Sequence, residues 1–290
     1  MATPDHIRNP IEWAWDHLKQ TGHAMEETAH TVEGAWEGRD AVAPMVRRIN
    51  AADIGDALAR GVKDFGACRT DVIFLCLIYP VAGLVISRMA ADYGMVALIF
   101  PLVSGFALVG PVFGLGLYEM SRRRELGIGT GWADAFAVMR APAIGAIVVL
   151  AALLFGLFCL WLFTAFLIYT VTLGPDQPVS ATALVRDALT TPAGWTMVVV
   201  GCGVGFLFAL VALVISVVSF PLLLDRNVGV GTAVVTSVRA VLANPGPMAM
   251  WGLIIAGSLV IGAIPLLVGL AIVLPVLGHA TWHLYRKVVS

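Results

Sequence analysis

Long apolar runs constrain the fold of this chain more than any other feature of its sequence. Four of them occupy residues 71–89, 93–119, 143–171 and 195–224. A helix needs about 20 apolar residues to cross the hydrocarbon core of a bilayer. Lipid offers no hydrogen bonds to an open backbone, so such runs are expected to be helical. Since 59% of the residues are hydrophobic and 13% charged, against about 25% charged in soluble domains, the sequence predicts an all-α, polytopic membrane protein.

A fifth apolar stretch, from Met248 to Trp282, does not have the length of a single span. Its roughly 35 residues would form a helix of about 52 Å, too long for one crossing and short for two. Pro265 lies near its centre, behind Gly262. Because proline removes a backbone donor and clashes with the preceding turn, we expect a break there. Two short spans at 248–264 and 266–284 then bring the total to six.

The positive charges favour six spans with both termini in the cytoplasm. With the N-terminus inside, only Arg88 and Arg186 fall on outside loops. The inside segments hold thirteen basic residues: Arg47, Arg48, Arg60, Lys63, Arg69, Arg122, Arg123, Arg124, Arg140, Arg226, Arg239, Arg286 and Lys287. Loops rich in arginine and lysine stay on the cytoplasmic side. The charges therefore predict a multi-pass membrane protein with both termini in the cytoplasm, whereas five spans would place Arg286 and Lys287 outside.

An internal repeat predicts how the spans are grouped. The segment LGIGTGWADAFAVMRAP, from Leu126, is similar to VGVGTAVVTSVRAVLANP, from Val228, and a weaker copy, DIGDALARGVKDF, begins at Asp53. Each copy is interpreted as a short amphipathic helix in the membrane interface that leads into a helical hairpin. Three such units would form six spans as three hairpins. The alternative is a chance similarity between short, alanine-rich helices.

The first 50 residues are expected to form a separate cytoplasmic helix and linker, ahead of a membrane domain at 51–290. Residues 1–40 contain eight acidic and three basic residues, a balance that anionic lipid would repel. Apolar residues recur there at alternating spacings of four and three, which is typical of a heptad seam. They are Ile11, Trp15, Leu18, Gly22, Met25, Ala29, Val32 and Trp36. This helix either folds onto its own protein or binds a partner subunit through Trp15, Leu18, Met25 and Trp36.

Ionisable residues at the ends of two spans are candidate functional groups. Glu119 closes the second span, and Asp225 and Arg226 follow the fourth. They are interpreted as ion-pairing residues, and Glu119 or Asp225 is expected to pair across spans with Arg122, Arg123 or Arg239. The alternative is a transport role in which Pro111 and Pro221 break two helices. No acidic or basic residue lies at the middle of a predicted span, which counts against active transport.

His279 and His283 lie four residues apart in the segment HATWH. Ala280 stands where a zinc protease of the H-E-x-x-H type has its catalytic glutamate. Side chains at this spacing point the same way, so one helix cannot supply both axial ligands of a haem. Either histidine could still bind metal or haem together with a residue of another helix. The simpler interpretation places Trp282 and Tyr285 in an interfacial aromatic belt.

Four segments resemble one bacterial membrane-protein family. They are YEMSRRRE (Tyr118–Glu125), SFPLLLDR (Ser219–Arg226), VRAVLANPGPMAMWG (Val238–Gly252) and LPVLGHATWHLYRK (Leu274–Lys287). Over roughly residues 50–290 the chain is similar to the family catalogued as domain of unknown function 2189. The resemblance implies a polytopic inner-membrane protein and no assigned activity.

These observations favour a protein without catalytic activity and without a cofactor. We expect a scaffold or accessory subunit, in contact with membrane lipid, that binds a protein partner through its N-terminal helix. One alternative is a passive facilitator of a small or lipidic molecule. Another is a haem- or metal-binding subunit that uses His279 or His283. A net charge of −1 does not suggest nucleic acid as a partner.

Overall fold

The fold comes from a computed structural model, which describes residues 44–290 apart from 77–80, 82, 86–87, 89–94, 130, 177, 179 and 266. The N-terminal helix expected within residues 1–40, with Trp15, Leu18, Met25 and Trp36, lies outside the described residues.

The described part of the chain is 83% helix and contains no strand, so the all-α class is confirmed. Two 3-10 helices cover Val96–Leu98 and Trp132–Arg140. The α-helices are α1 (Ala51–Cys76), α2 (Ile99–Phe113), α3 (Leu115–Glu125), α4 (Ile144–Thr172), α5 (Ala181–Thr190), α6 (Pro192–Ser216), α7 (Ser219–Asp225), α8 (Val230–Ala243), α9 (Pro245–Ala263) and α10 (Leu270–Val288).

Four described stretches are long and apolar enough to cross a membrane. They are Val96–Glu125, Ile144–Thr172, Pro192–Asp225 and Pro245–Ala263, and they correspond to the second to fifth expected spans. The first and third of these stretches are interrupted, at Gly114 between α2 and α3 and at Val217 between α6 and α7. The second interruption fits the clash of Pro221 with the carbonyl four residues before it.

The first and sixth expected spans differ from this pattern. Most of 71–89 beyond Cys76 lies outside the described residues. The expected break near Pro265 is present, because α9 ends at Ala263 and α10 begins at Leu270. However, α10 is not among the four stretches, since its second half carries His279, His283, Arg286 and Lys287.

The three repeat copies adopt three different conformations. The first is not a separate short helix, because it forms part of α1 and runs on without interruption to Cys76. The second is the 3-10 helix at Trp132–Arg140. Only the third, α8, is a short α-helix of the expected kind. Their common origin stays a prediction.

Buried side chains concentrate where α1, α3, α7, α8 and α10 meet, and we call this the basal end. Contacts of Lys287 with Asp53, of Arg286 with Asp225 and of Trp282 with Glu125 define it. All of Ser219–Leu224 in α7 is buried there. The long helices α4, α6 and α9 instead expose large apolar side chains over their length. Apolar surface of this extent is expected to contact lipid.

Helices α1 and α10 pack against each other along the basal end. Lys287 pairs with Asp53, and His283 pairs with Asp64. Residue numbers therefore increase along α1 in the direction in which they decrease along α10, so the two helices are antiparallel. A Cβ atom added to Gly61 would lie 2.7 Å from the backbone nitrogen of Ala280. Glycine is therefore needed for this close approach.

Candidate functional site

A group of polar side chains from three helices meets inside the basal end, and we call it the basal network. Asp64 comes from α1, Ser121 and Arg124 come from α3, and His279 and His283 come from α10. Asp64 is 7% exposed, while Ser121 and His279 are each 1% exposed. Polar groups buried to this degree are costly unless they are hydrogen-bonded.

The carboxylate of Asp64 is the centre of the basal network. The Ser121 hydroxyl donates to its Oδ2 at 2.8 Å, and Nε2 of His283 lies 2.8 Å from the same oxygen. Nε of Arg124 lies 3.2 Å from Oδ1. Burial by itself would raise the pKa of Asp64, but the hydrogen bonds from His283 and Ser121 hold it below its usual value. The group is therefore an ionised carboxylate with two hydrogen-bond donors and one ion-pair partner.

Hydrogen-bond accounting assigns the proton on His279. A carboxylate only accepts, so the single Ser121 hydroxyl proton goes to Asp64. The Ser121 oxygen must then accept from Nδ1 of His279, which lies 2.8 Å away. Nε2 of His279 has no hydrogen bond of standard geometry within the described residues, although the Leu117 backbone carbonyl interacts with the ring.

Small residues let the three helices come close enough for these contacts. A Cβ atom added to Gly278 would lie 2.5 Å from the Leu117 side chain, so α10 and α3 approach closely there. Gly61 and Ala280 permit a similar close approach between α1 and α10. The chain therefore places a glycine or alanine on each side of His279. A larger residue at these positions would separate Asp64, Ser121 and His279.

A second layer of polar contacts surrounds the basal network. Nε1 of Trp282 donates to Glu125 at 3.0 Å, and the Tyr285 hydroxyl donates to Asp225 at 2.8 Å. Arg286 contacts both acids. Trp282 and Tyr285 are each 1% exposed, so their interpretation as an interfacial belt is wrong. Both rings are buried because the protein itself supplies an acceptor for each polar tip.

The structure places the two acidic candidate residues in separate ion pairs. Glu119 is 3% exposed and contacts Arg122 at 2.8 Å and Arg123 at 3.1 Å, both on its own helix. Asp225 contacts Tyr285 and Arg286 rather than Arg239. The predicted pairing across spans with Arg122, Arg123 or Arg239 is therefore wrong for both acids.

Arg226 is half-buried, and Arg239 is exposed. Neither forms an ion pair within the part of the chain that the structure describes. Among the described residues, Arg226 therefore forms no ion pair with Glu119 or Asp225.

His279 and His283 each use one ring nitrogen in the basal network. Nδ1 of His279 faces Ser121, and Nε2 of His283 faces Asp64. The described residues contain no cluster of three or more His, Cys, Asp or Glu placed to hold a metal ion. The metal and haem hypothesis gains no support from this arrangement.

Sequence reasoning did not find Asp64, Ser121 or Arg124 as site residues. A signal for Asp64 is present, because it follows Ala57 and Gly61 at helical spacing in the amphipathic helix. A carboxylate on the small-residue face of such a helix points to a buried partner. Ser121 has no comparable local signal.

No curated protein and no solved structure matches this chain. Residues 99–225, which form α2 to α7, match the model of a family described as "Predicted integral membrane protein (DUF2189)". The match covers two of the four segments that carried the resemblance, YEMSRRRE and all but the last residue of SFPLLLDR. The resemblance seen in the sequence is therefore confirmed over residues 99–225, where the chain is similar to the predicted integral membrane proteins of domain of unknown function 2189.

Proposed function

We propose that this protein is a non-enzymatic scaffold or accessory subunit of a bacterial inner membrane. It binds a partner subunit through the amphipathic helix in residues 1–40. The observation that carries this proposal is that residues 45–49, from which the N-terminal segment departs, are held by distant parts of the chain. The partner-binding segment is thus attached to a fixed point of the basal end.

Backbone hydrogen bonds attach residues 45–49 to the end of the chain. Val46 pairs with Val289 in an antiparallel bridge, and the Arg47 amide donates to the Val288 carbonyl at 2.8 Å. The buried Asn244 adds two more contacts. Its Oδ1 accepts from the Ile49 amide at 2.7 Å, and its Nδ2 donates to the Arg47 carbonyl at 3.0 Å. These contacts support a rigid attachment point.

The charges at the basal end also support a structural role. Every carboxylate that the structure describes there has a cationic or hydrogen-bonding partner on the protein. The basal network in turn joins α1, α3 and α10. The buried contacts of the basal network hold these three helices together, which is what a scaffold requires.

The proposed topology has six spans, with the basal end in the cytoplasm. Arg122, Arg123, Arg124, Arg286 and Lys287 all lie at the basal end, which supports this orientation by the positive-inside rule. Cysteines introduced at Arg186 and Ser290 test it with a membrane-impermeant thiol reagent in intact cells. We expect labelling at position 186 and none at position 290; labelling at both would disprove the orientation of α10.

Partner binding is tested on the full chain by crosslinking in native membranes, purification and mass spectrometry. One variant replaces Trp15, Leu18, Met25 and Trp36 by alanine. Its matched control replaces Asp16 by asparagine and Glu27 and Glu37 by glutamine, at heptad positions of the same helix that face away from the apolar seam. We expect the first variant to lose the crosslinked subunit and the second to keep it. If a variant lacking residues 1–40 retains the same subunit, docking through this helix is wrong.

A further inference from the structure

An apolar groove opens sideways between α4, α6 and α8, and we call it the lateral groove. Its volume is about 500 Å³, within the range of small-ligand sites. Leu150 is fully buried in it, while Leu153 and Leu160 are 48% and 54% exposed. Ile215 of α6 and Val235 of α8 also line it. The groove therefore has a closed floor and an open side.

The chemistry of the lining selects hydrocarbon. Every side chain that lines the lateral groove is aliphatic or is the hydrogen of a glycine. A polar ligand group placed there would lose its hydrogen bonds to water without replacement. The lining on α4 runs from Leu150 to Leu160, about 15 Å along the helix axis, so the groove is an elongated trough suited to one extended chain.

A glycine widens the middle of the trough. Gly156 is exposed, and a Cβ atom added to it would meet no other atom within 4 Å. The space beside Gly156 is therefore open to an occupant rather than filled by a neighbouring helix.

The end of the groove at α8 carries Arg239, which has no ion-pair partner within the described residues. Gly231, Val234 and Val235 line the groove, and Arg239 follows Val235 by one helical turn on the same face. The opposite face is buried through Ala233, Ser237 and Ala240. Arg239 is exposed and has no ion-pair partner in the described residues, so its charge is available to an anion.

We propose that the lateral groove binds an acyl chain of an anionic phospholipid, whose headgroup phosphate pairs with Arg239. The aliphatic trough takes the hydrocarbon, and the exposed Arg239 guanidinium at its α8 end takes the negative charge. This proposal does not rest on the proposed partner binding by residues 1–40.

Native mass spectrometry of the purified full chain tests the proposal with phosphatidylglycerol and phosphatidylcholine of identical acyl chains. We expect the wild type to retain phosphatidylglycerol about fivefold better, the ratio that one arginine near an anionic surface supplies. Arg239→Gln should abolish this preference, while Lys63→Gln, an exposed lysine of α1 without an ion pair among the described residues, should keep it. An unchanged preference in R239Q overturns the role of Arg239.

The groove itself is tested with a matched pair of glycines. Gly156→Leu fills the trough, whereas Gly203→Leu adds the same side chain at an exposed helical glycine outside it. G156L should lose both lipids several-fold, and G203L should bind like the wild type. Leu153→Ala, which removes part of the lining without filling the trough, should weaken both lipids as well. The site is disproved if G156L and G203L bind the lipids equally. It is also disproved if G156L dissociates a dimer without losing lipid.

Discussion

Replacing Asp64 by alanine tests whether the basal network holds α1, α3 and α10 together. The carboxylate accepts from Ser121 and His283 at 2.8 Å each and pairs with Arg124 at 3.2 Å. The substitution removes all three contacts at once. Because the Asp64 side chain is only 9% exposed, water has little access to the donors left behind. We therefore expect D64A to destabilise the packing of α1 on its two neighbours.

The expected loss follows from the burial of each partner. Hydrogen bonds to a charged group contribute about 1.5–3 kcal/mol each, and breaking a buried ion pair costs about 3–5 kcal/mol. The side chain of Arg124 is 33% exposed, so water can solvate its charge again and lower the cost. The His283 side chain is 12% exposed, so water replaces its lost hydrogen bond less completely. We expect D64A to lower the free energy of unfolding by about 3 kcal/mol.

Titration of the full chain with SDS in mixed micelles, followed by far-UV circular dichroism, measures this loss. Asp56→Ala is the matched control on the same helix. Asp56 also forms ion pairs, with Arg60 and Lys287, but its side chain is 43% exposed. Exposed pairs contribute little, so D56A should unfold like the wild type. If the transitions of D64A and D56A coincide, the reasoning that the basal network stabilises these helices is refuted.

Three further outcomes are expected. Gly61→Leu should lower the free energy of unfolding by about 3 kcal/mol in the same titration, because the new side chain would clash with the α10 backbone. Gly66→Leu has open space around it and should change the free energy of unfolding little. Asn244→Ala should speed tryptic cleavage after Arg47, since it removes two contacts to that segment; an unchanged rate would contradict the anchoring. The pKa of Asp64 is lowered on folding, so its contribution is complete above the unfolded value of about 3.9 and is lost as pH falls through the folded value. Comparison of wild type and D64A between pH 7 and pH 3 checks this, and a stability difference that stays constant over that range would contradict it.

The sequence alone determined the all-α class of the protein and the positions of four candidate membrane spans. Hydropathy is a sum over neighbouring residues, and the cost of an open backbone in lipid makes any long apolar run helical. For this reason the apolar runs at 143–171 and 195–224 predicted the cores of α4 and of the α6–α7 stretch. The break at Pro265 was predictable on the same grounds, because proline acts on its own helix. Local physics accounts for each of these features.

The basal network could only be seen in the tertiary structure. Asp64 is 57 positions from Ser121 and 219 from His283, and Ser121 is 158 from His279. No local pattern couples residues at such separations. What brings them together is the close approach of three helices at Gly61 and Gly278, which is a property of packing.

The aromatic residues at the chain's end illustrate the same limit. Trp282 and Tyr285 each have an apolar body and one polar tip, which suits a membrane interface and a protein interior equally well. The sequence determined that each tip needs one acceptor. The tertiary structure decided where that acceptor is, by placing Glu125 and Asp225, 157 and 60 positions away, within 3.0 Å of them.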